Sequence, residues 1–271
     1  MYWSVRRELW ENRSITLAPL SVAAALLVGF QVSIVRQPER VRADVLAPFS
    51  VAAGLLSITA FLVGAFYCLD ALHGERRDRS ILFWKSLPVS DLTTVLSKAS
   101  VPLVVLPFLT APVVVLTQLV MLVISLAPLV QGGGVASYWA RLPLFQSWVA
   151  MLYSLAAMAL WHAPVYGWLL LVSGRVRQAA FLWAVLPPVV LSVVERVAFG
   201  TMYLSAFFTD RLTGWYTRGF VLPRPGAPAL EPLAAMTPVR LLHAPALWGG
   251  LVFAAAFLAA AVRLRRYREP I

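Results

Sequence analysis

Six apolar stretches, at about 15–35, 48–71, 99–128, 146–172, 179–194 and 244–262, take up most of the sequence. Crossing the hydrocarbon core of a bilayer takes roughly 20 helical residues. Lipid offers no water to backbone N–H and C=O groups, so continuous apolar runs of this length must satisfy them internally as helices. Only 13% of the 271 residues are charged, 60% are hydrophobic, and the mean hydropathy is +0.78. A soluble chain carries about 25% charged residues. The reading is a single transmembrane domain over 1–271: an all-α polytopic membrane protein with six transmembrane helices.

The third stretch is long enough to tilt or kink, and Pro102, Pro107 and Pro112 provide places to do so. The fifth is short and interrupted by Pro187-Pro188, whose missing backbone donors lipid cannot replace. That stretch is expected to face other helices rather than lipid. The first stretch is read as a retained span, because a long segment of mixed charge precedes it and its apolar core exceeds a signal-peptide core.

Six spans place the N-terminus, the 72–98 loop, the 173–178 turn and the C-terminal tail on one side. That side holds Arg6, Arg7, Arg13, Arg76, Arg77, Arg79, Lys85, Lys98, Arg175, Arg177, Arg263, Arg265, Arg266 and Arg268. By the positive-inside bias it is cytoplasmic, with both termini inside. The net charge of +11 is then accounted for by anionic lipid headgroups, and no nucleic-acid partner is called for. One cysteine, Cys68, excludes a disulfide framework within the chain, and its apolar setting reads as a packed thiol.

Three segments outside the spans carry the rest of the information. Residues 2–13 read as an amphipathic elbow helix on the cytoplasmic surface, or else as a flanking segment whose tryptophans anchor the first span. Tyr2, Trp3, Val5, Leu9 and Trp10 fall on one side, and Ser4, Arg7, Glu8, Glu11 and Asn12 on the other. Arg6 intrudes on the apolar side and is long enough to snorkel. Within 72–98, a charged cluster of Glu75, Arg76, Asp78 and Arg79 leads into Ile81, Leu82, Phe83, Trp84 and Leu87. These five project around most of a helical wheel, so the short helix needs cover on nearly all sides. Its own bundle supplies part, and either a partner protein or the bilayer surface the rest. Pro88 stops it, Ser90 reads as the N-cap of the next helix, and Asp91 falls in that helix's first turn. Between spans five and six, the outer segment 195–243 begins with Glu195-Arg196 and an aromatic stretch able to form short re-entrant helices. Its proline-rich part, around Pro223–Pro228, is not regular helix. The 131–145 segment, opening Gly132-Gly133-Gly134, reads as a flexible outer loop.

Polar groups inside the spans are few. Gln118 and His162 lie near mid-span, as possible path-lining residues or as packing groups, and Asp70 lies near the cytoplasmic end of the second. Met151 and Met158 read as packing. No paired-histidine metal motif, Gly-x-Ser-x-Gly elbow or Gly-x-x-x-x-Gly-Lys-Ser/Thr phosphate loop is present, so no catalytic, cofactor-binding or metal residue is assigned. If ATP drives this chain, another polypeptide binds it.

Glu75-Arg76, then Ser80-Ile81-Leu82, Leu87-Pro88-Val89-Ser90 and Lys98 at the start of the third span, resemble the permease subunits of ABC-2-type transporters. The elbow helix, six spans and long outer segment agree with that likeness. It implies a type V exporter fold, with two permease chains, identical or related, above two ATPase subunits that hold ATP and Mg. The region Glu75–Pro88 would be the coupling helix on the ATPase. The elbow would be carried by Trp3, Arg6, Arg7, Leu9 and Trp10. Substrate, hydrophobic or amphipathic, would pass between permease chains along the first, second and fifth spans, in a bacterial inner membrane. Arg79-Ser80 and Asp91 depart from the usual Gly-Thr and basic residue, and mark a divergent subgroup. The alternatives are a structural or regulatory membrane subunit without a transport path, and an intramembrane enzyme. The latter would need Glu195, His162 and Asp70 to meet at one cavity.

Overall fold

The computed structural model describes residues 2–39, 44, 46–74, 90–125, 142–176, 178–222 and 231–267. The motif residues Glu75, Arg76, Asp78, Arg79, Ile81, Leu82, Phe83, Trp84, Leu87 and Pro88 lie outside them, as do Gly132–Gly134 and Pro223–Pro228.

The described chain is helical throughout, apart from one isolated antiparallel bridge between Phe220 and Met236. In order, the elements are α1 (Tyr2–Glu11), α2 (Ser14–Arg36), α3 (Ala47–Ala71), α4 (Asp91–Ser100), a π-helical turn (Val101–Val105) and α5 (Leu106–Ile124). They continue with α6 (Leu144–Arg175), α7 (Ala180–Phe199), α8 (Tyr203–Gly219), α9 (Pro238–Leu242) and α10 (Pro245–Tyr267). Among the described residues, six continuous helices are long and apolar enough to cross a membrane: α2, α3, α4 through α5 (Asp91–Ile124), α6, α7 and α10. This is the architecture of a multi-pass membrane protein.

Local chemistry explains the boundaries. Asp44 Oδ1 accepts from the amides of Leu46 and Ala47 at 3.2 and 3.0 Å, and Pro48 follows where a missing donor costs nothing. Ser90 is an N-cap, as read from the sequence: its extended backbone lets Oγ accept from Thr93 N at 3.1 Å. α7 ends at Gly200, whose φ of +66° is open to glycine at little cost.

The third span is where prolines act. The helix begins at Asp91, earlier than the apolar run suggested, and passes through the π turn at Val101–Val105, which contains Pro102. Widening the helix there accommodates missing donors at Pro102 and Pro107 without breaking it. Gly64 of α3 sits against this turn, where an added Cβ would lie 3.1 Å from Pro102 Cβ and 3.2 Å from Leu106 Cδ1.

α6 is the central helix. Of its apolar window, 72% is buried, against 6% for α7. It packs on α3, α8 and α10, with Gly167 closing on Ala254 of α10. Small residues allow backbone approach of this kind, which matters in lipid because apolar burial alone does not favour one helix pair over another. Met151 and Met158 join Ala23, Leu56, Val114 and Leu155 in the core between α2, α3, α5 and α6, and Cys68 is fully buried.

α7 is the most exposed of the six within this chain, so the cover expected for the fifth span does not come from this chain's own helices. Its proline pair is tolerated for a local reason. Pro188 cannot donate to the Ala184 carbonyl one turn earlier, and the Trp168 indole of α6 donates to it instead at 3.1 Å. That contact replaces the donor missing at Pro188 from one side of α7, and leaves its other sides facing away from α6. Trp168→Phe keeps the ring but orphans that carbonyl, and is expected to cost about 1–3 kcal/mol in a detergent unfolding assay. Loss below a few tenths would mean the carbonyl finds another donor.

Candidate functional site at the end carrying both termini

α1 and the last turns of α10 both pack against α4, so both termini lie at one end of the bundle, together with the edges of the 75–89 segment. The polar side chains at this end form an interlocked set.

Glu8 of α1 is its centre. Its side chain is 2% exposed and that of Lys98 on α4 is 3% exposed, with Nζ donating to Oε1 at 2.8 Å. Arg7 Nη2 reaches the same oxygen at 2.9 Å, and the Tyr67 hydroxyl of α3 donates to Oε2 at 2.8 Å. Burial by itself would raise the Glu8 carboxyl. The Lys98 ammonium, helped by Tyr67 and Arg7, outweighs burial and holds it below its ordinary value, so Glu8 is ionised at neutral pH.

Two further contacts complete the set. Arg265 near the end of α10, 5% exposed, donates from Nε to Asp91 Oδ1 at 3.0 Å. Where α3 ends, the Leu72 and His73 amides donate to Ser173 Oγ of α6 at 3.1 and 2.9 Å, and His73 Nδ1–H donates to the Val176 carbonyl at 3.2 Å. The leading edge of segment 75–89 is therefore fastened to α6. Its trailing helix is fastened to α10 and, through Lys98, to α1. The residues that flank segment 75–89 on its two sides are thus bonded to α1, α6 and α10 through short polar contacts.

This geometry corrects the helical-wheel reading of α1. Glu8 belongs to its polar side, yet it is turned into the bundle, while Glu11 of the same side stays exposed. Trp3 and Trp10 lie outward at 71% and 70% exposed, and Arg6 lies over both rings, 5.5 Å from the Trp3 centroid and 4.9 Å from that of Trp10. Leu9 is half-buried against the core. A partial signal for the pairing existed in the sequence: Lys98 borders the apolar run that begins at 99, where a buried ammonium requires a counter-charge.

The mid-span polar residues are engaged by protein groups. Gln118 is buried, donating from Nε2 to the Phe49 carbonyl at 3.0 Å and accepting from the Trp148 indole at 2.7 Å. It joins α3, α5 and α6. His162 places Nδ1 2.8 Å from the Met158 carbonyl and Nε2 3.3 Å from that of Leu212. Glu195 accepts from Thr201 Oγ1, Tyr203 N and Leu204 N at 2.7, 2.8 and 2.7 Å, and so serves as an N-terminal cap for α8. Glu195, His162 and Asp70 thus stand at three separate places, and among the described residues no three metal-ligating side chains cluster.

A second polar set went unread in the sequence. α8 packs against the middle of α6, where fully buried Trp161 donates to the Asp210 carbonyl at 3.0 Å. Arg211 lies 5.1 Å and Arg218 4.9 Å from the Trp161 ring centroid. Arg211 also donates to the Ala246 carbonyl, and Arg218 pairs with Asp210. This set pins α8 to α6 and α10.

Comparison with protein families, with curated proteins and with solved structures finds no match to the chain.

Proposed function

We propose that the chain is the membrane-spanning permease subunit of an ATP-binding cassette transporter, related to the ABC-2 type and driven by ATPase subunits on separate chains. The observation that carries this reading is the buried Glu8–Lys98 pair. It makes the elbow helix and the helix that follows segment 75–89 one mechanical unit. Such a unit suits a chain that receives force from a partner seated on that segment. Ile81, Leu82, Phe83, Trp84 and Leu87 would face the partner, and Glu75, Arg76, Asp78 and Arg79 would flank the contact. ATP and Mg would be held by two copies of the ATPase. A second permease chain, identical or related, would complete the path, and the outward faces of α7 supply apolar surface for it. The N- and C-termini would be cytoplasmic, in a bacterial inner membrane, and the substrate an exported hydrophobic or amphipathic molecule.

Trp84→Glu and Leu87→Glu are expected to leave membrane insertion intact and to reduce ATPase association or transport at least tenfold, the scale of one disrupted apolar anchor in an interface. Unchanged association and transport in both variants would remove the coupling assignment.

One observation favours a second reading, a structural or regulatory membrane subunit without a path of its own. Gln118 and His162 point their polar atoms at protein carbonyls and an indole, not at a passage. Substrate-stimulated ATP hydrolysis in a reconstituted complex separates the two, since a non-transporting subunit gives none.

A further inference from the structure

The inward lock of Glu8 fixes which side of α1 faces away from the protein. That side carries Trp3, Arg6 and Trp10, spaced by three and four and all exposed, and Arg13 is exposed in the turn that follows. Farther along, the exposed residues on α2 include Leu17 and Leu20, at 59% and 53%, and no further charge appears before Arg36. The exposed chemistry thus changes from indole and guanidinium to uncharged side chains, aliphatic with a few hydroxyls, as the chain passes from α1 into α2. At the same end, the last turn of α10 exposes Arg263, Arg266 and Tyr267, with the Arg266 guanidinium 5.6 Å from the Tyr267 ring centroid. Two separate elements carry the same pairing of arginine with aromatic ring.

We propose that Trp3, Arg6, Trp10 and Arg13 form a seat for the phosphate headgroup of an anionic membrane lipid, with Arg6 as the phosphate-contacting residue. Indoles settle at the boundary between headgroups and hydrocarbon, which sets the depth of this face. Arg6 is flanked by two of them. Rings that cover the flat face of a guanidinium leave its edge N–H groups free to donate, and that planar fork matches two phosphate oxygens. The acidic residues of α1 do not compete: Glu8 is turned inward, and Glu11 is 3.5 Å from Arg7. An anionic lipid is favoured over a neutral one because Arg6 and Arg13 present two positive charges with no carboxylate between them on this face. Bound lipid orders α1, and α1 is bonded to α4 through Lys98, so the whole bundle gains stability. The proposal does not depend on the transport reading.

The test uses the purified full chain in a neutral detergent, titrated with phosphatidylglycerol or with phosphatidylcholine of the same acyl chains, and read as the rise in unfolding temperature. The expected result is a larger rise with phosphatidylglycerol. Arg6→Gln should weaken that lipid about tenfold, the scale of a lost charge-assisted contact. Arg36→Gln, exposed at the far end of α2, should leave it unchanged. Equal response to both lipids, or equal effects of Arg6→Gln and Arg36→Gln, would overturn the proposal. Protection by inorganic phosphate matching that of phosphatidylglycerol would also overturn it, by showing a site for free phosphate and not for lipid.

Discussion

Lys98→Met should destabilise the bundle by about 3–5 kcal/mol in a reversible detergent unfolding assay, the cost of leaving a buried charge without its partner. The Glu8 carboxylate would keep Tyr67 and Arg7, but Arg7 is partly exposed at 24% and cannot replace an ammonium that is 3% exposed. Glu8→Met should cost a similar amount by stranding Lys98. The double variant, Glu8→Met with Lys98→Met, should recover most of the loss, because two apolar side chains of similar length do not require a counter-charge. The non-additivity is the signature: a coupling energy near zero in the double-mutant cycle would show that the two residues act independently. Acid supplies a second readout. The folded carboxyl lies below its ordinary value, so its stabilisation is complete above the ordinary carboxylate range and is lost as pH falls through the lowered value. Glu8→Gln should lack that acid-side component of the stability profile.

Trp161→Ala is the other large effect expected, about 3–5 kcal/mol from cavity formation. It removes the indole donor to the Asp210 carbonyl and the ring over which Arg211 and Arg218 lie. Limited proteolysis within 203–219 should accelerate as α8 loosens from α6. A companion variant adds bulk in the same place. A Cβ at Gly214 would fall 2.6 Å from Trp161 Cζ2, and the buried indole has no room to retreat, so Gly214→Ala should cost about 1–3 kcal/mol. If both variants unfold like the wild type, α8 is not held by this cluster.

How far these features could be read from the sequence depended on the kind of physics each one uses. The spans were legible because lipid demands long apolar helices whatever their neighbours are, and the cap at Ser90 because it is settled within four residues. The pairing of Glu8 with Lys98 links residues 90 positions apart, and helical periodicity sees only one helix at a time. On a wheel, Glu8 belongs with Arg7 and Glu11 on a face taken for the wet one. Only tertiary packing turns it inward. The exposure of α7 within this chain was not legible for a related reason: Pro187 and Pro188 announce missing donors, but not that the Trp168 indole, sixteen residues before Ala184, replaces one of them. Gln118 and His162 were visible as polar atoms in apolar runs, while their partners, Phe49, Trp148 and Leu212, were not. The motif residues between 75 and 89 rest on the sequence alone.

The measurement that bears most directly on the proposed role is gentle detergent purification of the tagged full chain from its native host, with co-purifying proteins identified by mass. The account predicts recovery of a nucleotide-binding ATPase subunit, and loss of that subunit when Trp84 or Leu87 carries a charge. Recovery of the wild-type chain alone would contradict it, leaving the clamp around Glu8 and Lys98 as the architecture of a membrane protein with no motor attached.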